Sequence, residues 1–256
     1  MAKRLLAVLL VLAFLLVAAL EIAGRVFKRR LEEARRSVPP PAECPVRPAR
    51  PSYVGERIEY EVKMGALKIG SAVFTREEPA TINGKEQDVF VFETRVVRFT
   101  DTERIYADPE TLLPLRVDRD ISMWPRKERI VERYDQKNLQ VTISKNGQTQ
   151  EIKSDDHLNN AVLLPFSIRE NPDLRAGWKI RVNLPTQKFE VTLVGTERVR
   201  VPGGEFDTYH FTSQPEKFEV WMTKDTAKIP VKIKGTSGLG YTMFMSAYRP
   251  PVKEKQ

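Results

Sequence analysis

Arg57-Ile-Glu-Tyr-Glu-Val-Lys63 decides the fold, because Ile58, Tyr60 and Val62 alternate with Arg57, Glu59, Glu61 and Lys63. A period of two sends successive side chains to opposite faces of an extended backbone, so this stretch reads as a strand with one dry and one wet face. Towards the C-terminus the same signature recurs at 67–75, 87–99, 104–107, 113–120, 127–134, 139–144 and 149–153. It continues at 178–184, 189–201, 205–212, 217–223, 229–234 and 240–247. Asn83-Gly84, Asp135-Gln-Lys-Asn138, Asn146-Gly147 and Pro202-Gly-Gly204 separate some of these runs, as tight reversals require.

Connections this short exclude a βαβ fold, whose crossovers need about a dozen residues or more. One helix is expected, over Asp156 to Ile168, with Asp155 or Asp156 at its start and Leu158, Ala161, Val162 and Phe166 on one side. Pro165 shortens or bends its end. So many strands must curl to protect their edges. The expected fold is therefore all-β, a strongly curved antiparallel sheet or barrel with one short helix covering it, preceded by an N-terminal transmembrane helix.

That N-terminal helix is read from residues 1–36. Lys3 and Arg4 precede an uncharged run from Leu5 to Leu20, and continuing through Glu21, Ile22 and Ala23 brings it to about the 20 residues that cross a roughly 30 Å hydrocarbon core. A cleavable signal is the other reading, but the apolar stretch exceeds the roughly 7–15 residues usual for one. Arg25, Lys28, Arg29, Arg30, Arg35 and Arg36 form a basic neck, which by charge bias alone would hold the C-terminal side in the cytoplasm. Long domains cross regardless of such charge. Residues 37–52 are proline-rich and make a stiff tether to a β domain at 53–248, with 249–256 as a disordered tail. Cys44, in the tether, is the single cysteine, so no disulfide framework exists.

The net charge of +8 is uneven. Residues 1–50 hold ten Lys or Arg against four acids, and the remainder holds 32 against 30. The β domain therefore lacks the concentrated basic footprint of a nucleic-acid binder, and nucleic acid is excluded as the principal partner. Nucleotides are excluded with it, since there is no phosphate-cradling glycine loop.

Several segments in order resemble the DUF3108 family, bacterial envelope proteins of unknown function. They are Gly55-Glu-Arg-Ile-Glu-Tyr-Glu-Val62 with Gly65 and Ile69-Gly-Ser-Ala72, then Ile105-Tyr-Ala-Asp-Pro-Glu-Thr-Leu-Leu-Pro114. Val201-Pro-Gly-Gly-Glu-Phe206, Val220-Trp-Met-Thr-Lys-Asp225, Ile229-Pro-Val-Lys-Ile233 and Gly240 follow. The resemblance implies an exported β-rich domain on the periplasmic side, and with the N-terminal run read as an anchor the expectation is a single-pass inner-membrane protein whose domain faces the periplasm. It implies no reaction.

Catalytic chemistry is thinly represented. The only histidines are His157 and His210, and the cysteine lies outside the domain. Asp155-Asp156-His157 is the nearest approach to a metal or acid–base cluster, yet it reads first as a helix start. No cofactor and no metal site is expected. A hydrolase using Asp225 or Asp155, Asp156 and His157 is the catalytic alternative, and a structural assembly subunit is a third. The leading expectation is a non-catalytic domain that binds or positions a lipid, glycan or envelope protein. Trp124, Tyr209 and Trp221 are its candidate ligand contacts, as aromatics with large apolar area and a polar handle. Trp124, followed by Pro125 and a charged stretch, is expected at a rim.

Overall fold

A computed structural model describes residues 53–236 and 240–252. The anchor or signal, the neck, the tether with Cys44, and residues 253–256 lie outside the described residues. Among the described residues no helix is long and apolar enough to cross a membrane.

Among the described residues fourteen strands follow one another, beginning with β1 (Arg57–Met64), β2 (Leu67–Ile82), β3 (Lys85–Val96), β4 (Phe99–Ala107), β5 (Pro114–Met123), β6 (Arg126–Asp135), β7 (Gln140–Lys145) and β8 (Gln148–Lys153). After a connection holding α1 (Leu164–Arg169), the one helix among the described residues, come β9 (Lys179–Leu184), β10 (Gln187–Val201), β11 (Gly204–Gln214), β12 (Phe218–Thr223), β13 (Pro230–Gly235) and β14 (Tyr241–Arg249). All belong to one antiparallel sheet, in the order β8-β7-β6-β5-β4-β3-β2-β1-β14-β13-β12-β11-β10-β9. Each half is a meander, and β1 pairs with β14 to join them.

β2 outruns the expected end at Thr75 because the register slips between Glu77 and Ala80. The slip accommodates Pro79, which has no N–H to donate to a ladder. At the C-terminus, β14 runs to Arg249 and Val252 N donates to Val54 O at 2.9 Å, so the segment expected as a tail from residue 249 continues the fold through Val252.

The sheet curls around α1. Leu163 and Phe166 of the helical turn pack with Phe74 on β2 and Phe90 on β3, whereas Leu164 and Ile168 pack with Val191 on β10 and Phe211 on β11. In a flat sheet, strands spaced by about 4.8 Å would put β2 and β10 nearly 30 Å apart. A six-residue helix is only about 9 Å long, so both contacts require a wrapped sheet. Alone such a helix would not persist in water. Packing holds it: the Phe166 ring stacks on Phe74 with centroids 4.0 Å apart.

Two expectations need correction. The sheet does not close into a barrel, because β8 and β9 are its unpaired ends. The connection between them takes the hydrogen bonds that closure would use: Asn159 N donates to Asn183 O, Asn183 Nδ2 donates to Ser154 Oγ, and Ser154 N donates to Leu139 O. Gln136 fixes the middle of this strap, its Nε2 donating to Pro114 O and Leu158 O while its Oε1 accepts from Leu158 N. For the same reason α1 does not start at Asp156. Residues 154–160 are bonded outward to neighbouring strands, and Asn160 Oδ1 caps Val162 N before the helix begins.

Candidate functional site

Beneath α1 the wrapped sheet leaves a cavity of about 250 Å³. That is room for on the order of eight waters at about 30 Å³ each. Tyr60, Phe74 and Phe92 line it from β1 to β3, and Leu164, Pro165 and Phe166 line it from the helix. Phe218, Val220, Pro230, Ile233, Gly235, Tyr241 and Met243 close it from β12 to β14, with Ala161, Val162 and Lys217 at its margin. These positions come from strands that are neighbours only because β1 pairs with β14, so residues about 180 apart in sequence share one wall.

The lining is apolar with few polar side chains. The Tyr60 hydroxyl is consumed by Pro230 O, to which it donates at 2.8 Å, and burial pushes that phenol well above the ordinary tyrosine range. The Tyr241 hydroxyl and the Lys217 ammonium remain, and neither side chain has a hydrogen-bond partner among the described residues. Tyr241 is partly exposed, at 44%, and desolvation of its covered part raises the phenol. Gly235 makes room for that ring, because a Cβ there would lie 2.6 Å from it.

The three aromatic candidates are not brought together. Trp124 caps the β5–β6 turn and is 81% exposed. Tyr209 and Trp221 sit on adjacent strands, where Tyr209 pairs with Met222 and Trp221 with His210, so the two rings point to opposite faces. Tyr209 packs towards Phe211. Trp221 is buried: His210 stacks on its ring at 4.3 Å, Lys232 Nζ stands 3.7 Å over the ring, and its indole N–H donates to Glu197.

This second cluster reaches across four strands. His210 Nε2 lies 2.9 Å from Glu219 Oε2, and its Nδ1 lies 3.3 Å from Glu197 Oε1. Burial opposes the Glu219 charge, but hydrogen bonds from Lys234 and His210 outweigh it and hold the carboxyl below its usual range. Burial lowers the Lys232 ammonium, against the pull of Glu197 and Glu219. Both histidine nitrogens thus face carboxylates, so the ring is held between Glu197 and Glu219.

Of the groups of the hydrolase alternative, Asp225 and Asp156 are engaged in local turns and Asp155 in an ion pair. Asp225 Oδ1 accepts from Thr223 Oγ1, Ala227 N and Lys228 N. Asp156 Oδ1 accepts from His157 N, and Asp155 pairs with Lys188. Among the described residues no group of three His, Cys, Asp or Glu side chains is placed to hold a metal ion.

The sequence offered no direct signal for the cavity. Phe218, Val220, Ile233 and Met243 read there as ordinary strand residues, and the contact of α1 with both halves of the sheet fixes their common destination.

A family model described as "Protein of unknown function (DUF3108)" matches residues 59–246. No curated protein matches the chain. Among solved structures, a β-barrel-like protein of the DUF1849 domain of unknown function from Brucella abortus superposes with a TM-score of 0.51 at 10% identity, covering 81% of this chain and all of that one. A protein described as a lipoprotein from Parabacteroides distasonis aligns at 10% identity over 81% of this chain and 100% of its own. One described as exported, with a YmcC-like fold, from Bacteroides fragilis aligns at 10% identity over 80% and 98%. Both score 0.26, at which superposition does not establish a shared fold.

Proposed function

The chain belongs to the DUF3108 family of proteins of unknown function, and from that premise we propose that its β domain is a non-catalytic holder of an apolar chain, such as the acyl tail of an envelope lipid. The observation that carries this reading is the cavity beneath α1, apolar along its walls and bearing Tyr241 and Lys217 at its margin. An acyl tail would displace water from a site that offers it few hydrogen bonds. Lys217 would meet a phosphate or carboxylate at the head end.

The same proposal places the domain in the periplasm, tethered to the inner membrane by residues 5–23. Its support is the uncharged N-terminal run and the proline-rich stretch that follows it. A structural assembly subunit is the reading left if the cavity takes no ligand.

The test uses the full chain. Lipid extraction followed by mass spectrometry should recover a co-purifying acyl species, and a fluorescent stearate probe should compete with it. Ala161→Trp, at an exposed position on the cavity margin, should weaken probe binding by about tenfold or more, equivalent to about 1.4 kcal/mol. Binding to the N-terminal run is common to both proteins and cancels in the comparison. Equal probe affinity in the two, or a wild-type chain carrying no acyl species, overturns the proposal.

A further inference from the structure

An antiparallel meander places alternate turns at one end of its strands. The β1–β2, β3–β4, β5–β6, β7–β8, β9–β10, β11–β12 and β13–β14 turns therefore share one rim. The other connections share the opposite rim with Val54 and Val252, where the chain enters and leaves the sheet.

The rims differ in chemistry. Among the described residues, the exposed large hydrophobics are Met64, Leu67, Val97, Met123, Trp124, Tyr241, Val194 and Val252, and the first six stand on the seven-turn rim. Counting each turn with two strand residues on either side, that rim holds ten Lys or Arg and two Glu. The five hairpin turns at the opposite rim, counted alike, hold five Lys or Arg and six Asp or Glu. Polar turn devices gather there, such as Asp108 Oδ1 accepting from Glu110 N and Thr111 N.

The apolar and basic groups are contiguous. Val97 N donates to Ile69 O, joining the second turn to the first, and Phe99 pairs with Met123, joining it to the third. Arg98, Arg126 and Lys127 flank Val97 and Trp124, are exposed, and have no ion-pair partner among the described residues. Lys217 at the cavity margin is unpaired in the same sense.

We infer that the seven-turn rim docks on an anionic phospholipid surface. An exposed Trp among aliphatic side chains suits the headgroup boundary, where an amphipathic ring is at home. The unpaired cations supply the complementary charge, and the excess of cations over acids at this rim argues for lipid phosphate in preference to an apolar protein groove. The inference stands on exposure and charge and does not depend on the cavity holding a ligand. If both hold, the cavity margin at Lys217 and Tyr241 meets the lipid surface directly.

The test keeps the full chain, with its N-terminal run in a phosphatidylcholine nanodisc, and adds separate vesicles of phosphatidylglycerol or of phosphatidylcholine. In a Cys44→Ser background, an environment-sensitive dye is placed by Trp124→Cys or, as control, Val194→Cys. Co-flotation with the phosphatidylglycerol vesicles is expected, with a blue shift of the dye at 124 and none at 194. Arg98→Glu, Arg126→Glu and Lys127→Glu should each weaken co-flotation about fivefold or more, with circular dichroism unchanged. Ala161→Trp should leave it intact, which separates failure of this rim from failure of the cavity. Equal response at the two dye positions, equal binding to the two lipids, or full binding by the reversed-charge variants overturns the inference. So does a photocrosslinker at 124 that forms only protein adducts in cells.

Discussion

Arg169 Nη1 donates to Glu56 Oε2 at 2.8 Å, joining the last residue of α1 to the residue before β1 across 113 positions of chain. Both side chains are almost wholly buried, at 2% and 1% exposure. Tyr248 donates to the other Glu56 oxygen at 3.0 Å, and Lys228 Nζ donates to Arg169 O. Arg169 Nε and Nη2 have no acceptor among the described residues; the guanidinium carbon lies 4.9 Å from the Tyr53 ring and 5.1 Å from the Phe166 ring. The pair therefore fixes the far end of the helix that roofs the cavity.

Removing one partner should cost more than the pair contributes. Arg169→Met or Glu56→Leu leaves a charged group stranded in the interior and should destabilise the domain by about 3–5 kcal/mol. The double variant Glu56→Leu, Arg169→Met should lie closer to wild type than the sum of its parts. Urea unfolding followed by tryptophan emission measures all of these.

Phe166 stacks on Phe74 and lies 6.0 Å from Phe90. Phe166→Ala should cost about 3–5 kcal/mol and enlarge the cavity beneath the helix. If acyl chains occupy that space, the variant should shift the co-purifying species to longer or bulkier tails, as mass spectrometry of the extract would record.

Glu103 gives a pH dependence with a definite sign. Burial raises its carboxyl, against the hydrogen bond from Asn160 Nδ2 and the charge of Arg119. The folded state thus holds the proton more tightly than the unfolded one. The stabilisation this brings is complete below the unfolded value, about 4.3, and fades as pH rises through the raised folded value. Glu103→Gln keeps an acceptor for Asn160 without the charge. It should melt above wild type at neutral pH, with the gap closing on acidification; thermal melts across that range would show it.

Gln136 holds the strap between the sheet ends by three hydrogen bonds. Gln136→Leu should cost about 1–3 kcal/mol through the backbone groups left unmet. Hydrogen exchange should accelerate at Leu158 and along β9 while β3 and β4 stay protected.

The strands were legible because each alternates over its own few residues. Every run expected from 57 to 247 corresponds to a strand, with some ends displaced by partners that lie elsewhere in the chain. β4 begins at Phe99 and not at Arg104, for instance, because Asp101 and Glu103 are tolerated there by Arg119 and Asn160, which lie 18 and 57 residues further along the chain. The helix was misplaced for a related reason: the polar groups of 154–160 found partners on β9 and at Gln136, an alternative invisible to a local capping rule. The cavity was illegible because it depends on β1 meeting β14, and no short window of sequence records that pairing. Trp124 at a turn tip was readable from the proline that follows it, whereas the partners of Trp221 lie up to 24 positions away.

An even number of passes brings a chain back to the side from which it set out. Val54 and Val252 accordingly meet, and the backbone hydrogen bond between them nearly stitches the polypeptide into a loop. A short linker across that gap, with new ends cut in the exposed Asn146-Gly147 turn, should give a circular permutant with the same sheet. Reporters fused after the last strand would sit beside Val54 and clear of Trp124, at the opposite rim, so a tagged protein should behave at surfaces as the untagged one does.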